Sequence, residues 1–340
     1  MPTSKKPTIS FPRDERPHPE RLEWWYWNAN LEDADGKSYS AMFTLFRSRP
    51  TALPDMWSTH EIVSSDGKDP AKPSFHLYTS VDHAEWTDDY FSIGVQHAFR
   101  MEKKKDGEYH VVTPDMNLRM TMTKPPILIG GTGLVDLGIS KTFYYTLPRL
   151  EASGTIRVGA KRVHVRGLAW MDHQWHPITV SPETVWKWFS MHLSDGTDIQ
   201  CFEFGKTNIV RMATVSWPDG TQSVSDDVRF SPIDGKWKSQ DTGLSYQVDW
   251  KIEIALKDIT LTLHPDVRAC EAVFGPVIYW EGPMGVSGKI DGRHVTGVGF
   301  FEHVPNADLS IAMNAVFRHA TQRIGRAVRH AAKSIFTRAG

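Results

Sequence analysis

Cysteine is scarce in this chain. Only Cys201 and Cys270 occur among 340 residues, and they lack C-x-x-C spacing. The pattern indicates neither a disulfide framework nor a cysteine zinc site, and two reduced thiols are typical of cytosolic proteins. We therefore expect a cytoplasmic protein.

Long apolar runs are missing as well. No stretch of about 18 apolar residues occurs, and the first 20 residues carry charges and prolines but no apolar signal-peptide core. The sequence predicts neither a membrane-spanning segment nor a visible secretion signal. Residues 1–20 are predicted to form an extended arm, because their prolines break any helix.

Patterns typical of metal, phosphate and nucleic-acid sites are also lacking. His60, His76, His83 and His97 do not have H-E-x-x-H or facial-triad spacing. The glycine loop at 130–133 is not followed by the Lys-Ser or Lys-Thr of a phosphate-binding loop. The body of the chain is acidic and contains no recognised nucleic-acid module. We expect no metal, no cofactor and no nucleic-acid partner.

Aromatic side chains and short strand patterns are abundant instead. Thirteen tryptophans suit the lining of a wide apolar cavity. Strand-like runs are separated by turn signals at Asp35-Gly36, Asp195-Gly196, Asp219-Gly220 and Asp291-Gly292. A spacing of about ten residues is typical of all-β sandwiches and barrels. We predict an all-β fold of two tandem antiparallel β barrels, spanning 21–178 and 185–304.

The end of the chain has a helical period. From 311 to 338, apolar residues recur along one stripe and Lys or Arg residues along the other, which predicts a basic amphipathic α-helix. Such a helix docks on a barrel with its charges in water, or lies on an anionic bilayer. Docking is favoured because most amphipathic helices face a core. The second alternative gives a peripheral membrane contact on the inner face.

The stretch 167–176, GLAWMDHQWH, is the strongest candidate for chemistry. On a strand, Trp170 and Asp172 face one side and Met171 the other. Burial beside an indole raises a carboxyl pKa and keeps its proton available, which makes Asp172 a candidate general acid. The alternative is that Asp172 opens a turn, with His173 and Gln174 in solvent.

Five pieces of the sequence resemble the family of carotenoid 1,2-hydratase (hydroxyneurosporene synthase) and the AttH-like lipocalin-type proteins. They are EWWYWNANLEDADGKSY at 23–39, YYTLPRLEASG at 144–154, GLAWMDHQW at 167–175, WKWFSMHLSDGTDI at 186–199 and YWEGPMGVSGKIDGRHVTGVGFFE at 279–302. The resemblance implies two lipocalin-like barrels, and by position it points to Asp172, Trp170 and Tyr145. The family's usual D-x-E-W-G ending reads DHQWH here, so a second carboxylate and a glycine are missing.

The resemblance implies a lyase that hydrates an isolated carbon–carbon double bond in an apolar, carotenoid-like isoprenoid. Such an alkene is a weak base, so a protonated Asp172 in a dry pocket would deliver the proton. Aromatic faces would stabilise the resulting cation, and His173 or Tyr145 would activate the water. The candidates for binding the substrate are Trp24, Trp27, Trp170, Trp175 and Trp188.

Two other functions stay open. A cyclase or pericyclic catalyst would fold a polyene in the same aromatic cavity and would need little acid–base chemistry. A lipocalin-like carrier would bind a lipid or pigment without changing it. In each case the expected partner is an apolar small molecule.

Overall fold

The computed structural model describes residues 9–49, 55–65, 74–78, 83–95, 99–105, 107–176, 184–233, 235–274 and 277–305. Within these ranges the chain contains β-strands and short 3-10 turns but no α-helix. The helix predicted over 311–338, and with it the predicted membrane contact, lies outside the described residues. None of the helical segments in these ranges has the length and apolar character needed to cross a membrane.

The first sheet is formed by the strands between Leu22 and His176. Their bounds are β1 Leu22–Glu32, β2 Ser38–Ser48, β3 Met56–Ser65, β4 Ser74–Tyr78, β5 His83–Trp86, β6 Phe91–Val95, β7 Phe99–Lys105, β8 Glu108–Val112, β9 Met116–Met122, β10 Ile127–Leu128, β11 Leu134–Asp136, β12 Lys141–Val158 and β13 Lys161–His176. The strand order is β4-β3-β2-β1-β13-β12-β9-β8-β7-β6-β5, with β10 and β11 paired to β12. Both faces are buried along most of β1, in the first half of β12 and in the second half of β13.

The second sheet is formed by strands between Trp186 and Val304. Their bounds are β14 Trp186–Leu193, β15 Asp198–Phe204, β16 Val210–Ser216, β17 Gln222–Ser225, β18 Val228–Pro232, β19 Trp237–Lys238, β20 Ser245–Tyr246, β21 Trp250–Ile254, β22 Ile259–Pro265, β23 Glu271–Phe274, β24 Val277–Ile290 and β25 Arg293–Val304. The order is β17-β16-β15-β14-β25-β24-β22-β21-β18, with β23 paired to β24, while β19 and β20 form a separate ribbon. Three 3-10 turns lie at Arg13–Glu15, Ile129–Gly131 and Leu256–Asp258.

The Asp-Gly signals connect neighbouring antiparallel strands as predicted: β1 to β2, β14 to β15, β16 to β17, and β24 to β25. At the last of these, Asp291 and Gly292 both have positive φ, at 50° and 72°, which a two-residue type I′ hairpin requires. The predicted all-β fold of two tandem barrel-like sheets is confirmed. The domain limits stay predictions, because 177–183 lies outside the described residues.

Strand β1 contributes to two hydrophobic cores. Trp25 and Trp27 belong to the core inside the first sheet, together with Phe43. Tyr26 belongs to the core that continues into the second sheet and includes Phe189. Because side chains alternate along a strand, the aromatic run at the start of β1 supplies both cores. The face that carries Tyr26 is the one that meets the second sheet.

The predicted N-terminal arm is folded from residue 9 onward. Arg13–Glu15 form a 3-10 turn, and the carboxylate of Glu15 accepts hydrogen bonds from Lys103 and Tyr109 inside the first barrel. Trp25 donates to the backbone oxygen of Glu15 across 3.3 Å. Residues 9–20 are thus part of the first barrel, while residues 1–8 lie outside the described residues.

Candidate active site

A cavity of about 340 Å³ lies between the two sheets. Its lining comes from β1, β2, β12 and β13 of the first sheet and from β14, β15, β24 and β25 of the second. The aromatic lining residues are Trp24, Tyr26, Phe46, Tyr144, Trp186, Trp188, Phe202, Phe204 and Tyr279. Ile139 lines the cavity and is 63% exposed, so the opening lies beside it. Concave, mostly apolar sites of this size are typical of small-molecule binding.

Asp172 is the acid on the first-sheet wall of this cavity. Its carboxylate accepts hydrogen bonds from Trp170 Nε1, at 2.7 Å, and from the Tyr144 hydroxyl. Trp188 Nε1 in turn donates to Tyr144 Oη across 2.8 Å, which leaves the Tyr144 proton for Asp172. Burial raises the pKa of Asp172 to about 6, while hydrogen bonds from neighbours oppose the rise.

Two further carboxyl groups line the second-sheet wall. Glu281 on β24 and Glu302 on β25 lie directly opposite each other in the strand register. Trp186 Nε1 donates to Glu302 across 2.7 Å, and the Tyr26 hydroxyl is a partner of Glu281. Burial raises the pKa of Glu302 to about 7, and burial with repulsion by Glu302 raises the pKa of Glu281 well above its usual value.

Among the described residues that line the cavity, no positively charged side chain balances these acids. Among the described residues that line it, none is Lys or Arg, and His176 is the imidazole present. Burial lowers the pKa of His176 to about 4, so this ring is neutral at pH 7. The site therefore suits a neutral, apolar molecule, to which it presents protonatable carboxyl groups among aromatic faces.

Comparison with known proteins identifies the family. A family model described as AttH-like matches residues 2–303. The chain belongs to the AttH-like family. Dehydratase asqC of Emericella nidulans is 26% identical over 230 residues, which are 63% of this chain and 62% of that relative. The match thus spans less than two thirds of the relative's length.

Solved structures share the fold. An AttH protein from Nitrosomonas europaea superposes with a TM-score of 0.76 at 24% identity, covering 88% of this chain and 97% of that one. Kievitone hydratase from Nectria haematococca superposes with a TM-score of 0.67 at 18% identity, covering 88% of this chain and 96% of that one. At these identities the likeness shows the fold. The predicted AttH-like resemblance is confirmed, and a specific relation to carotenoid 1,2-hydratase stays a prediction.

Three of the residues predicted for the site of this AttH-like chain line the cavity: Asp172, Trp24 and Trp188. Trp170 lies directly behind them, fully buried, with its indole nitrogen on Asp172. The alternative in which Asp172 opens a turn is wrong, because residues 172 to 174 lie within β13 and are buried.

Tyr145, His173, Trp27 and Trp175 are not in the cavity. All four face the interior of the first barrel, where His173 Nδ1 lies 3.2 Å from Tyr145 Oη. Trp27 Nε1 donates to a methionine sulfur there, and Trp175 stacks on another ring. The structure therefore places Tyr145 and His173 on the face opposite Asp172, and Trp27 and Trp175 outside the cavity lining. The catalytic and substrate-binding roles of these four residues stay predictions.

A β-bulge explains the error at Tyr145. The turn at Gly159 pairs Val158 with Lys161, and this register carried along β12 would place Tyr145 on the Asp172 face. The register shifts by one residue between Leu147 and Leu150, and a one-residue shift moves every later side chain to the opposite face. Tyr144 consequently takes the position beside Asp172.

Among the described residues, one group that could hold a metal lies beside the other face of β13. His18, Glu23 and His173 bring one ligand atom each within 4.8 Å of one another. Glu23 Oε1 lies 2.8 Å from His18 Nδ1 and 2.9 Å from His173 Nε2, and Arg47 approaches the second oxygen. The guanidinium beside this carboxylate favours a hydrogen-bonded anion over a cation site.

Sequence reasoning missed Tyr26, Tyr144, Glu281 and Glu302. Strand alternation gives a signal for Tyr26, because it lies two residues from the predicted Trp24. The signal for Glu281 and Glu302 is a single acid within a mostly apolar strand, in YWEGP and in GFFEH. A glutamate is seldom fully buried unless its carboxyl group is paired, so a single acid in an apolar strand is a candidate site residue.

Proposed function

We propose that this AttH-like chain is a hydro-lyase that adds water to an isolated carbon–carbon double bond of an isoprenoid-like apolar substrate, or removes it in reverse. The observation that carries the proposal is the buried Asp172 carboxyl, whose pKa is raised to about 6, in a cavity walled by aromatic rings. The names of two relatives, a dehydratase and a hydratase, support it. The cavity takes the reacting end of a longer molecule, whose remainder passes out beside Ile139.

The first step is transfer of the Asp172 proton to one alkene carbon. The carboxylate left behind accepts hydrogen bonds from Trp170 and Tyr144, which are already in place. Donors that are fixed before charge develops stabilise it without reorganisation. Asp172 thus becomes a stronger acid at the moment of reaction, while burial keeps its proton in place up to about pH 6.

The second step is capture of the tertiary cation by water. The faces of Trp24, Tyr26 and Trp188 line the cavity, and aromatic faces stabilise a cation by electrostatic attraction without bonding to it. Water adds its oxygen to the cationic carbon and releases one proton. The sum is alkene plus water giving an alcohol, so the reaction balances without an oxidant or reductant.

Citronellol, which carries one trisubstituted isoprenoid alkene, is a direct probe. Incubation with the wild-type protein in deuterium oxide is expected to give the tertiary alcohol with one deuterium on the adjacent carbon. Asp172→Asn should reduce the rate by about 100-fold or more, the usual contribution of a general acid. Unaltered, unlabelled citronellol would instead indicate a carrier. Turnover of a polyene that survives Asp172→Asn would indicate a pericyclic catalyst.

A further inference from the structure

One buried oxygen in the cavity has no hydrogen-bond partner. Glu281 is 1% exposed, and its Oε1 atom is unpartnered among the described residues. The other two cavity acids both accept indole hydrogen bonds, from Trp170 and Trp186. An unpaired buried polar atom costs free energy, so its presence calls for a reason.

Tyr26 lies between Glu281 and Asp172 and contacts the strands of both. Tyr26 is paired directly with Asp172 in the register of β1 and β13, and its hydroxyl is a partner of Glu281 on the opposite sheet. Both carboxyl groups line the same cavity. A molecule bound between the sheets therefore has an acid on either side of it.

The pairing of Glu281 with Glu302 also lowers the free energy of unfolding. Like charges directly opposite each other on neighbouring strands are destabilising; Glu281 is almost fully buried and Glu302 is partly buried. None of the described cavity residues is Lys or Arg, so the pair is stable only when it holds a proton. Apolar residues of similar size would stabilise the fold better, which points to a chemical use.

We propose that Glu281 is a second catalytic carboxyl group, which exchanges a proton with the oxygen of the substrate while Asp172 exchanges one with the carbon. In hydration, the active form is the fraction of molecules in which Glu281 is ionised; its carboxylate takes the proton from the water as the water oxygen bonds to the cationic carbon. In dehydration, the Glu281 acid gives its proton to the hydroxyl that leaves as water, and the Asp172 carboxylate takes the proton from carbon. Glu302 is the other carboxyl group of the pair and can carry the proton when Glu281 is ionised.

This inference rests on the proposed hydro-lyase function, and isotopes separate the two. Protonation of the alkene by Asp172 can be reversed, and reversal leaves deuterium in unreacted alkene whenever the carboxylate removes the original hydrogen instead of the deuteron that it delivered. Glu281→Gln is expected to lower formation of the tertiary alcohol from citronellol by about 100-fold or more while deuterium still enters the recovered alkene. Asp172→Asn should abolish both. A wild-type protein that gives neither product nor exchange would refute the proposed function itself.

Glu61→Gln is the matched control. Glu61 is a buried carboxyl in β3 whose pKa burial raises to about 7, but it accepts from Thr113 and does not line the cavity. Its variant should keep both alcohol formation and deuterium exchange. Alcohol formation by Glu281→Gln that equals the control would overturn the assignment, and so would an equal loss of exchange and alcohol.

A second variant covers the case in which Glu281→Gln does not fold. Glu281→Asp keeps a carboxyl group but withdraws it by one methylene from the cavity. Alcohol formation should then fall while deuterium exchange stays at the wild-type rate. A Glu281→Asp protein with the wild-type rate of both would show that this carboxyl does not touch the reacting oxygen.

Discussion

Replacement of the proposed acid should change how stability depends on pH. In the folded chain the pKa of Asp172 is about 6, against an ordinary value of 3.8, because burial disfavours its charged form. A raised pKa means that the folded state holds the proton over a pH range in which the unfolded state has lost it. Folding stability must fall with rising pH across that range.

The magnitude follows from the difference between the two pKa values. That difference, between 3.8 and about 6, corresponds to about 3 kcal/mol of unfolding free energy. The contribution is absent below about pH 4, grows through pH 5, and is complete above about pH 6. Asp172→Asn removes the titrating group, so the variant should gain about 3 kcal/mol relative to wild type across this window. Glu302 adds to this gain in stability. The charge of Asp172 helps to raise the pKa of Glu302, so its removal makes ionisation of Glu302 less costly in the folded state.

Guanidinium unfolding followed by tryptophan fluorescence, at several pH values between 4 and 7, measures this difference. Any lost hydrogen bond in Asp172→Asn shifts the whole curve by a constant and does not alter its slope. Asp89→Asn, at an exposed position, provides the reference for a surface acid. A difference between Asp172→Asn and wild type that does not change with pH would refute the claim that this carboxyl is buried and protonated.

Three other predictions use the same geometry. Tyr144→Phe should lower citronellol hydration by about 10- to 100-fold, since a hydrogen bond to a charged group contributes about 1.5–3 kcal/mol, whereas Tyr145→Phe on the opposite face should not; equal rates for the two would contradict the face assignment. Gly167→Ala should destabilise the fold by about 1–3 kcal/mol or more in thermal unfolding, because its Cβ would lie 2.1 Å from the Asn30 carbonyl oxygen. Gly285→Ala, whose Cβ would meet nothing closer than 3.5 Å, should be neutral, so equal melting temperatures would count against the close approach. Initial rates should fall above about pH 6, because Asp172, whose pKa is about 6, then releases its proton; a rate that stays constant to pH 9 would exclude acid catalysis by it.

The fold was predictable because its signals are local. Asp-Gly turns, such as the one at Asp291 and Gly292, set the hairpins. Asp172 and Trp170 were predictable for the same reason, since two residues on one strand share a face whatever the strand pairs with. Inferences that stayed within a single strand therefore placed these residues correctly.

Two features of the site are carried by no local pattern: the choice between Tyr144 and Tyr145, and the meeting of Glu281 and Glu302 with Asp172. Whether Tyr144 or Tyr145 faces Asp172 depends on a bulge between Leu147 and Leu150, and one inserted residue reverses the assignment. Glu281 and Glu302 lie more than 100 residues from Asp172 in sequence. They reach the same cavity because the two sheets pack against each other, which strand patterns do not specify.

The two faces of β13 explain how this chain tolerates a destabilising site. Its inward side chains, including Met171 and Trp175, pack in the first core, and Trp170 extends the core shared with the second sheet. These contacts fix the backbone from which Asp172 projects, so a carboxyl whose ionisation costs about 3 kcal/mol is held without loss of the fold. The opposite wall repeats the arrangement: Glu281 alternates with Trp280, which is completely buried, on β24. Each acid is thus held in place by buried neighbours on its own strand. The cavity between the sheets does not have to be filled by side chains and can bind the substrate.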